Sequence, residues 1–401
     1  MAERILVKAS FIWDGISKDL KDNGAILIED TKIKTVGSNV EINPSDYDHV
    51  LDFSGLTLMP GLIDSHTHHS MDPTLENYLD RMSDSIPELT LRAVAMMRKD
   101  LQAGVTTCRT LGDKAYLDIA CREAVNRNLI LGPRSIVAGK GIRAAKGHGF
   151  VGYPYNGKGE IRNAIHENLA AGADFIKIYI SGTLKGDGDL PSYLTREEIA
   201  TAIRTSHEAG LNVASHCVGG IGLDWALELG LDTLEHAYHI SDAQIEKLAV
   251  STTKLVLTPS PILNDKIVYH YPKHLIQGHF NERDEICRRM RALIGANIPF
   301  ALGTDGMHGE LAQEAEYVVE LGASNFNALQ ALTIYGASVC GMENETGTLE
   351  AGKYADIIAV EGNPLENIEA LKKVKAVVKQ GRLVHYSNSQ SHLKGIKYSL
   401  L

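Results

Sequence analysis

His66 and His68 stand one residue apart at the end of the apolar run Leu58-Met59-Pro60-Gly61-Leu62-Ile63. Strand side chains alternate between faces, so two such imidazoles point the same way. On one face they can hold a single metal ion. Alone, a His-x-His pair is a weak signal, because histidines recur by chance. Four further residues strengthen it. Lys177 lies within Phe-Ile-Lys-Ile-Tyr, His216 within Ala-Ser-His-Cys, His236 within Leu-Glu-His-Ala and Asp305 within Leu-Gly-Thr-Asp-Gly. Each sits in or just after a short apolar run of strand type. Taken singly they have plainer readings: His236 as a hydrogen-bonded core residue, Asp305 as a turn residue ahead of Gly306. Taken together they make a metal-compatible set.

Lys177 is the most telling of the six. An ammonium in an apolar strand is costly to bury unpaired, and it has no lone pair to offer a metal. A neutral amine, by contrast, can add carbon dioxide and become a carbamate, an anion whose two oxygens can bridge two cations. The alternatives are a lysine paired with an acid such as Asp174 or Glu235, or one that snorkels out of the core.

These residues converge only if the strands that carry them end on one face. Residues 58–346 alternate apolar strand-like runs with helical stretches. Eight strands are expected, at 58–66, 105–111, 134–138, 175–181, 212–216, 233–236, 255–259 and 299–304, with helices such as 92–103, 196–209 and 282–295 between them. That alternation predicts an α/β fold, a (β/α)8 TIM barrel whose catalytic groups gather at the C-terminal ends of the strands. Residues 1–57 and 347–401 are β-rich at both ends of the chain and are expected to join as one composite β-sandwich domain. Two glycine-rich connections, 139–159 and 182–189, follow the third and fourth strands and should lie over the active face.

The whole chain has 401 residues, long enough for a large core plus an added domain. Its formal net charge of −10 argues against a nucleic-acid backbone as partner. The five cysteines, Cys108, Cys121, Cys217, Cys287 and Cys340, are widely spaced with no Cys-x-x-Cys, which suits a reducing compartment. Cys217 should face away from His216 and serve packing. No N-terminal apolar core of signal-peptide length is evident, nor any stretch near the ~18 apolar residues of a membrane span. The expectation is a cytoplasmic, homo-oligomeric protein whose partner is a small-molecule substrate, with neither nucleic acid nor membrane.

With the motifs assembled, the chain resembles the amidohydrolase superfamily in its binuclear, carboxylated-lysine branch. The resemblance rests on Pro60-Gly61-Leu62-Ile63-Asp64-Ser65-His66-Thr67-His68, on Lys177, His216, His236 and Asp305, and on the closing Gly347-Thr348-Leu349-Glu350-Ala351-Gly352-Lys353-Tyr354-Ala355-Asp356. Gly104-Val105-Thr106-Thr107-Cys108-Arg109-Thr110-Leu111-Gly112 and Lys146-Gly147-His148-Gly149 are most similar to the prolidase-like group, with its Xaa-Arg or Xaa-Pro carboxypeptidase-like members. The resemblance implies two divalent ions, zinc suiting the ligand set. His66, His68 and Asp305 would hold the more buried ion and His216 and His236 the more exposed one, with a CO2-derived carbamate on Lys177 between them. It further implies a metal-activated water as nucleophile and Asp305 as proton shuttle.

His148 would contact the substrate carbonyl or oxyanion. Arg109 and Arg143 are candidates for a substrate carboxylate, since guanidinium matches carboxylate geometry, though a structural ion pair suits Arg109 at least as well. Val218 stands where that group often has a substrate-side tyrosine. The implied reaction is hydrolysis of an amide in a dipeptide or N-acyl amino acid. Other readings are a hydrolase of a non-peptide amide, carbamate or cyclic amide, and a mononuclear deaminase or imidazolone hydrolase, which would not need Lys177. A non-catalytic protein on this fold would be expected to lose ligands. His69, His239 and His308 lie near the ligands without an assigned role.

Overall fold

The structure is a computed structural model that describes residues 2–38, 47–186 and 188–387. Positions 39–46 and 388–401 of the expected terminal domain, and Asp187 of the fourth-strand loop, lie outside the described residues.

Eight strands follow one another through the centre of the chain. They are Leu62–Thr67, Val105–Thr110, Arg134–Val137, Ile176–Tyr179, Val213–Cys217, Thr233–His236, Lys254–Leu257 and Phe300–Leu302. All the recorded pairings among them are parallel. Nearly every residue in them is buried, the pattern of strands covered on both faces. Helices connect them and carry their own start signals. Ser85 and Glu88 form a capping box ahead of Ile86–Gln102, and Thr195 with Glu198 does the same for Arg196–Glu208. In Ile86–Gln102 the residues Leu89, Ala93, Met97 and Leu101 are buried at four-residue spacing, which turns one apolar stripe toward the core.

The ladder is not continuous around the ring. Strands one to three form one sheet; strands four to eight form another, extended by the short strands Ile142–Arg143 and Tyr153–Pro154. Two seams join them. At the first, the fourth strand pairs with Ile142–Arg143 rather than with the third strand, and Asp174 N–H donates to the Val137 carbonyl at 2.8 Å. The loop after strand three, expected over the active face, lines the cavity there and contributes two short strands of its own. At the second seam Asp305 N–H donates to the His66 carbonyl at 2.8 Å, and Thr304 Oγ1 to Asp64 Oδ2 at 2.6 Å. Gly303 makes that approach possible: a Cβ there would fall 2.4 Å from the Cβ of His66.

The chain ends meet in a single seven-stranded sheet, ordered Arg382–Tyr386, Val374–Lys379, Ile357–Val360, His49–Pro60, Arg4–Ile12, Lys21–Glu29, Lys32–Ser38. The ladder is thus one sheet, where a two-layered sandwich was expected. The edge strand Lys32–Ser38 meets the segment that leads into Ile357–Val360, with Ile33 N–H donating to Lys353 O at 2.9 Å and Gly352 N–H to Ile33 O at 2.8 Å. A separate apolar core, including Ile26, Phe53, Leu58 and Val378, fills it. The strand anticipated at 58–66 is split. Thr57–Pro60 pairs with Ile357–Val360 in the terminal sheet, and the barrel-type strand begins only after Gly61.

Candidate metal centre and pocket

His66, His68, Lys177, His216, His236 and Asp305 all line one cavity of about 370 Å³. The structure brings together every ligand-type residue singled out in the sequence. His66 Nε2 lies 3.3 Å and His68 Nε2 3.6 Å from Asp305 Oδ1. The ring centroids of His66 and His236 are 4.7 Å apart, and those of His216 and His236 4.4 Å apart. The tightest convergence of donor atoms joins His66, His236 and Asp305, all within 4.8 Å of one another. That triplet cuts across the two-ion grouping implied by the resemblance, so the six read as one cluster.

Backbone geometry aims two of the ligands. His236 and Asp305 both take left-handed conformations, with φ of 76° and 50°. Such conformations are strained for residues with a Cβ and collect at functional sites. At His236 the turn breaks strand alternation, so Glu235 and His236 both serve the centre.

Three imidazoles are oriented by bonds at Nδ1, which leave Nε2 for the cavity. His66 Nδ1 pairs with Glu235 Oε2 at 2.8 Å, His68 Nδ1 with Gly112 O at 2.7 Å, and His236 Nδ1 with Thr258 Oγ1 at 2.7 Å. A bond at one ring nitrogen fixes the tautomer of a metal-binding histidine. Burial pushes His68 down to about 4 and His216 and His236 well below the ordinary histidine value, so all three are neutral at pH 7 and offer a lone pair. At Asp305, burial works against the charged form, but the His66 and His68 imidazoles hold the carboxyl below its usual range.

Lys177 is fully buried, and its Nζ has no hydrogen-bond partner among the described residues. The acids weighed as partners are committed elsewhere. Asp174 is bound to Arg122 Nη1 at 2.9 Å, and Glu235 to Arg109 and His66. Burial lowers the Lys177 amine to about 8, against the pull of Glu235 and Asp305. His216 Nε2 is likewise buried and unpartnered. Orphaned nitrogens at the middle of an imidazole–carboxylate cluster are what a missing cation would satisfy. The residues present therefore fit divalent metal ions.

The proposed substrate contacts divide. His148 lines the cavity, stacks on His216 at 4.2 Å between centroids, and has Nε2 3.4 Å from Thr183 Oγ1. The other three are corrected. Arg109 is buried behind the cluster, where it binds Glu235, Ser65 O at 2.8 Å and Thr233 Oγ1 at 3.1 Å; its guanidinium is spent on a structural ion pair. Arg143 turns back on its own loop and binds the carbonyls of Ala144 and Ala145, each at 3.1 Å. Val218 is fully buried in an apolar cluster with Leu190, Tyr238 and Ile262. None of these three lines the cavity.

Of the unassigned histidines, His308 bridges Asp100 Oδ2 at 2.7 Å and His68 O at 3.1 Å. His69 lies 3.1 Å from both Ser135 Oγ and Thr110 Oγ1, and His239 pairs with Glu282 at 2.8 Å. Cys217 packs in the main core, as its position after His216 anticipates.

Several site residues were missed. Glu235 and Thr258 orient ligands; Tyr179, one alternation beyond Lys177, has a buried hydroxyl without a hydrogen-bond partner among the described residues and lines the cavity. Its place two residues after Lys177 was a usable signal. Tyr78, Tyr271 and His279 also line the cavity, from two helices, Tyr78–Arg81 and Lys273–Gly295, and the loop before the second, where no strand period marks them.

A family model described as the amidohydrolase family matches residues 57–384. Ochratoxinase from Aspergillus niger is 27% identical over 414 aligned positions, covering 94% of this chain and 85% of that protein. Imidazolonepropionase from Fusobacterium nucleatum subsp. nucleatum is 24% identical, covering 91% of this chain and 92% of that one. Among solved structures, a Xaa-Pro dipeptidase with methionine bound in its active site superposes with a TM-score of 0.84 at 26% identity, covering 96% of this chain and 100% of that one.

Proposed function

The chain belongs to the amidohydrolase family, and we propose that it is a binuclear metal hydrolase that cleaves an amide C–N bond in a dipeptide or N-acyl amino acid. The observation that carries this reading is the buried Lys177 Nζ, without a hydrogen-bond partner among the described residues, in a cavity that His66, His68, His216, His236 and Asp305 also line. An amine lowered to about 8 is neutral often enough to attack carbon dioxide. A C–N bond forms, a proton leaves, and a carbamate anion remains to bind two cations. His66, His68 and Asp305 would hold one ion, His216 and His236 the other, and the carbamate both. Divalent ions so held supply an activated hydroxide at neutral pH and polarise a carbonyl.

The protein groups do the rest. Asp305, kept ionised, accepts the proton of the attacking water and delivers it to the leaving nitrogen. His148, pushed down to about 4 by burial, is neutral and donates to the carbonyl oxygen as negative charge develops there. Glu235, locked by Arg109, keeps the His66 ring fixed through the cycle. The eight strands read as a (β/α)8 barrel comprising 58–346, with 1–57 and 347–401 as a composite β-domain. No described helix is long and apolar enough to cross a membrane. A homo-oligomeric, cytoplasmic enzyme with a small-molecule substrate remains the proposal, with no part for nucleic acid.

One alternative is favoured by a specific feature. The His66, His236 and Asp305 triplet alone could hold one ion, as suits a mononuclear deaminase or an enzyme of the imidazolonepropionase kind, and then Lys177 would be dispensable. A panel of dipeptides and N-acyl amino acids, each paired with its C-terminal amide, tests the substrate class. Hydrolysis that depends on metal and prefers the free carboxylate supports the proposal. Turnover confined to cyclic amides or amidines moves the chain to the alternative.

A further inference from the structure

His68 is held at two points. Its Nδ1 is bonded to Gly112 O at 2.7 Å, and its own carbonyl accepts from His308 Nε2 at 3.1 Å. The Met71 N–H also reaches that carbonyl, at 3.2 Å, but it belongs to the same loop and ties it to nothing else. His308 stands just beyond Asp305, so it joins the loop after Leu62–Thr67 to the loop after Phe300–Leu302. Those loops carry His68 and Asp305, whose Nε2 and Oδ1 lie 3.6 Å apart. His308 is fixed from behind in turn. Its Nδ1 meets Asp100 Oδ2 at 2.7 Å, and the other oxygen of that carboxylate accepts the Gly309 N–H at 2.7 Å.

Asp100 comes from the helix Ile86–Gln102, on the face turned to the core, and both it and His308 are buried. A carboxylate in that position is costly unless it is paired. The pairing here has a definite chemistry. Both partners of the imidazole, a carboxylate oxygen and a backbone carbonyl, are acceptors, so both ring nitrogens donate. The ring therefore carries two protons, and Asp100 balances its charge. Gly309 lets the loop come close to the helix: its φ is 77°, and a Cβ there would fall 2.9 Å from the Cγ of Lys99. Asp100, His308 and Gly309 do not line the cavity. Any effect they have on chemistry passes through His68 and Asp305.

We propose that Asp100 and His308 are positioning residues that clamp the His68 carbonyl to the loop of Asp305 and so set the spacing of two ligands to one metal ion. The clamp rests on the metal-hydrolase reading, and the test separates the two.

Three variants isolate the bond. Asp100→Asn removes the charge and keeps the bond, because the amide donates to His308 Nδ1 while Nε2–H still reaches His68. Asp100→Asn with His308→Leu removes the bond and leaves no buried charge unpaired. Asp100→Asn with His308→Gln restores a side-chain N–H at similar reach. Chelator-treated protein is titrated with zinc by calorimetry, unfolding is followed in chelator, and kcat and KM are measured on zinc-loaded protein. Outer contacts of metal ligands are commonly worth about 10- to 100-fold in affinity. With His308→Leu one zinc step should weaken by about tenfold or more and the other by less than about threefold, and kcat should fall with KM little changed. Asp100→Asn alone should stay within about threefold in both steps, and His308→Gln should recover most of the loss. Equal weakening of both steps, or of neither, overturns the proposal. So does an Asp100→Asn as impaired as the His308→Leu double variant, or a His308→Gln that recovers nothing. A His308→Leu double variant that does not fold in chelator also overturns it, since the pair would then hold the fold and not the ligand. One zinc per chain in the unmutated protein, or zinc bound without turnover of any amide, would instead sink the binuclear hydrolase reading; the clamp would stand if a zinc step still weakened with His308→Leu and recovered with His308→Gln.

Discussion

The floor and the wall of the cavity are built on different principles. The floor is made by strand ends. His66, Lys177, His216, His236 and Asp305 come from five strands or the residues just beyond them, and three of the imidazoles carry a second bond that fixes the ring. Behind them the buried Arg109–Glu235 pair braces His66. The wall is made by loops and by the helices Tyr78–Arg81 and Lys273–Gly295; it is largely apolar, and one imidazole nitrogen in it has no hydrogen-bond partner among the described residues. A rigid polar floor suits a reaction whose geometry is the same for every amide. An adaptable aromatic wall suits a choice among amides. If this division holds, floor substitutions should abolish chemistry or stability, and wall substitutions should change preference.

The largest effect is expected at Lys177. Lys177→Ala should lose bound metal and nearly all turnover, and short carboxylic acids should restore part of the rate by standing in for the carbamate. Full activity in that variant would break the contrast, because the most deeply buried floor residue would then be idle. Asp305→Asn comes next, with turnover falling by about 10²–10⁴-fold if the carboxylate carries the proton. Metal content measured alongside rate separates the shuttle from weakened binding.

Arg109→Met tests the brace. It leaves Glu235 buried and charged without its main partner, at a cost of about 3–5 kcal/mol in unfolding free energy. Burial opposes the charged form of Glu235, yet Arg109 and His66 hold it down at about 2, so it remains ionised in the intact protein. A change under ~1 kcal/mol in denaturant unfolding would mean that the pair contributes little net stability.

Most of the floor was legible in the sequence, and the reason is periodicity. Strand alternation places His66 with His68, and Lys177 is conspicuous inside an apolar strand. His216, His236 and Asp305 each follow an apolar run. What stayed hidden depends on contacts between distant segments. Nothing local distinguishes an Arg109 that binds a substrate from one that binds Glu235, 126 residues away. Alternation predicts opposite faces for Glu235 and His236, yet Glu235 binds His66 while His236, at positive φ, lines the cavity. The wall was least legible, because Tyr78, Tyr271 and His279 share no period. The split of the strand expected at 58–66 has the same origin: Thr57–Pro60 is claimed by Ile357–Val360 from the far end of the chain.

The smallest expected effect is a pH dependence of the wall. His279 is held near 4 when folded, against about 6.5 for an unperturbed histidine. Between those values the unfolded chain binds more protons, so stability rises with pH there. The contribution is complete above pH 6.5 and is lost as pH falls toward 4. Going from pH 7 to 4.5, the unmutated protein should lose about 2 kcal/mol more unfolding free energy than His279→Phe. Equal losses would mean that the imidazole is not buried as neutral.

Metal content decides the central claim most directly. The protein purified without chelator and its Lys177→Ala variant are analysed by plasma mass spectrometry, with turnover measured on the same samples. The account predicts close to two divalent ions per chain in the unmutated protein and loss of both metal and rate in the variant. One ion per chain at full activity, unchanged in Lys177→Ala, would contradict it.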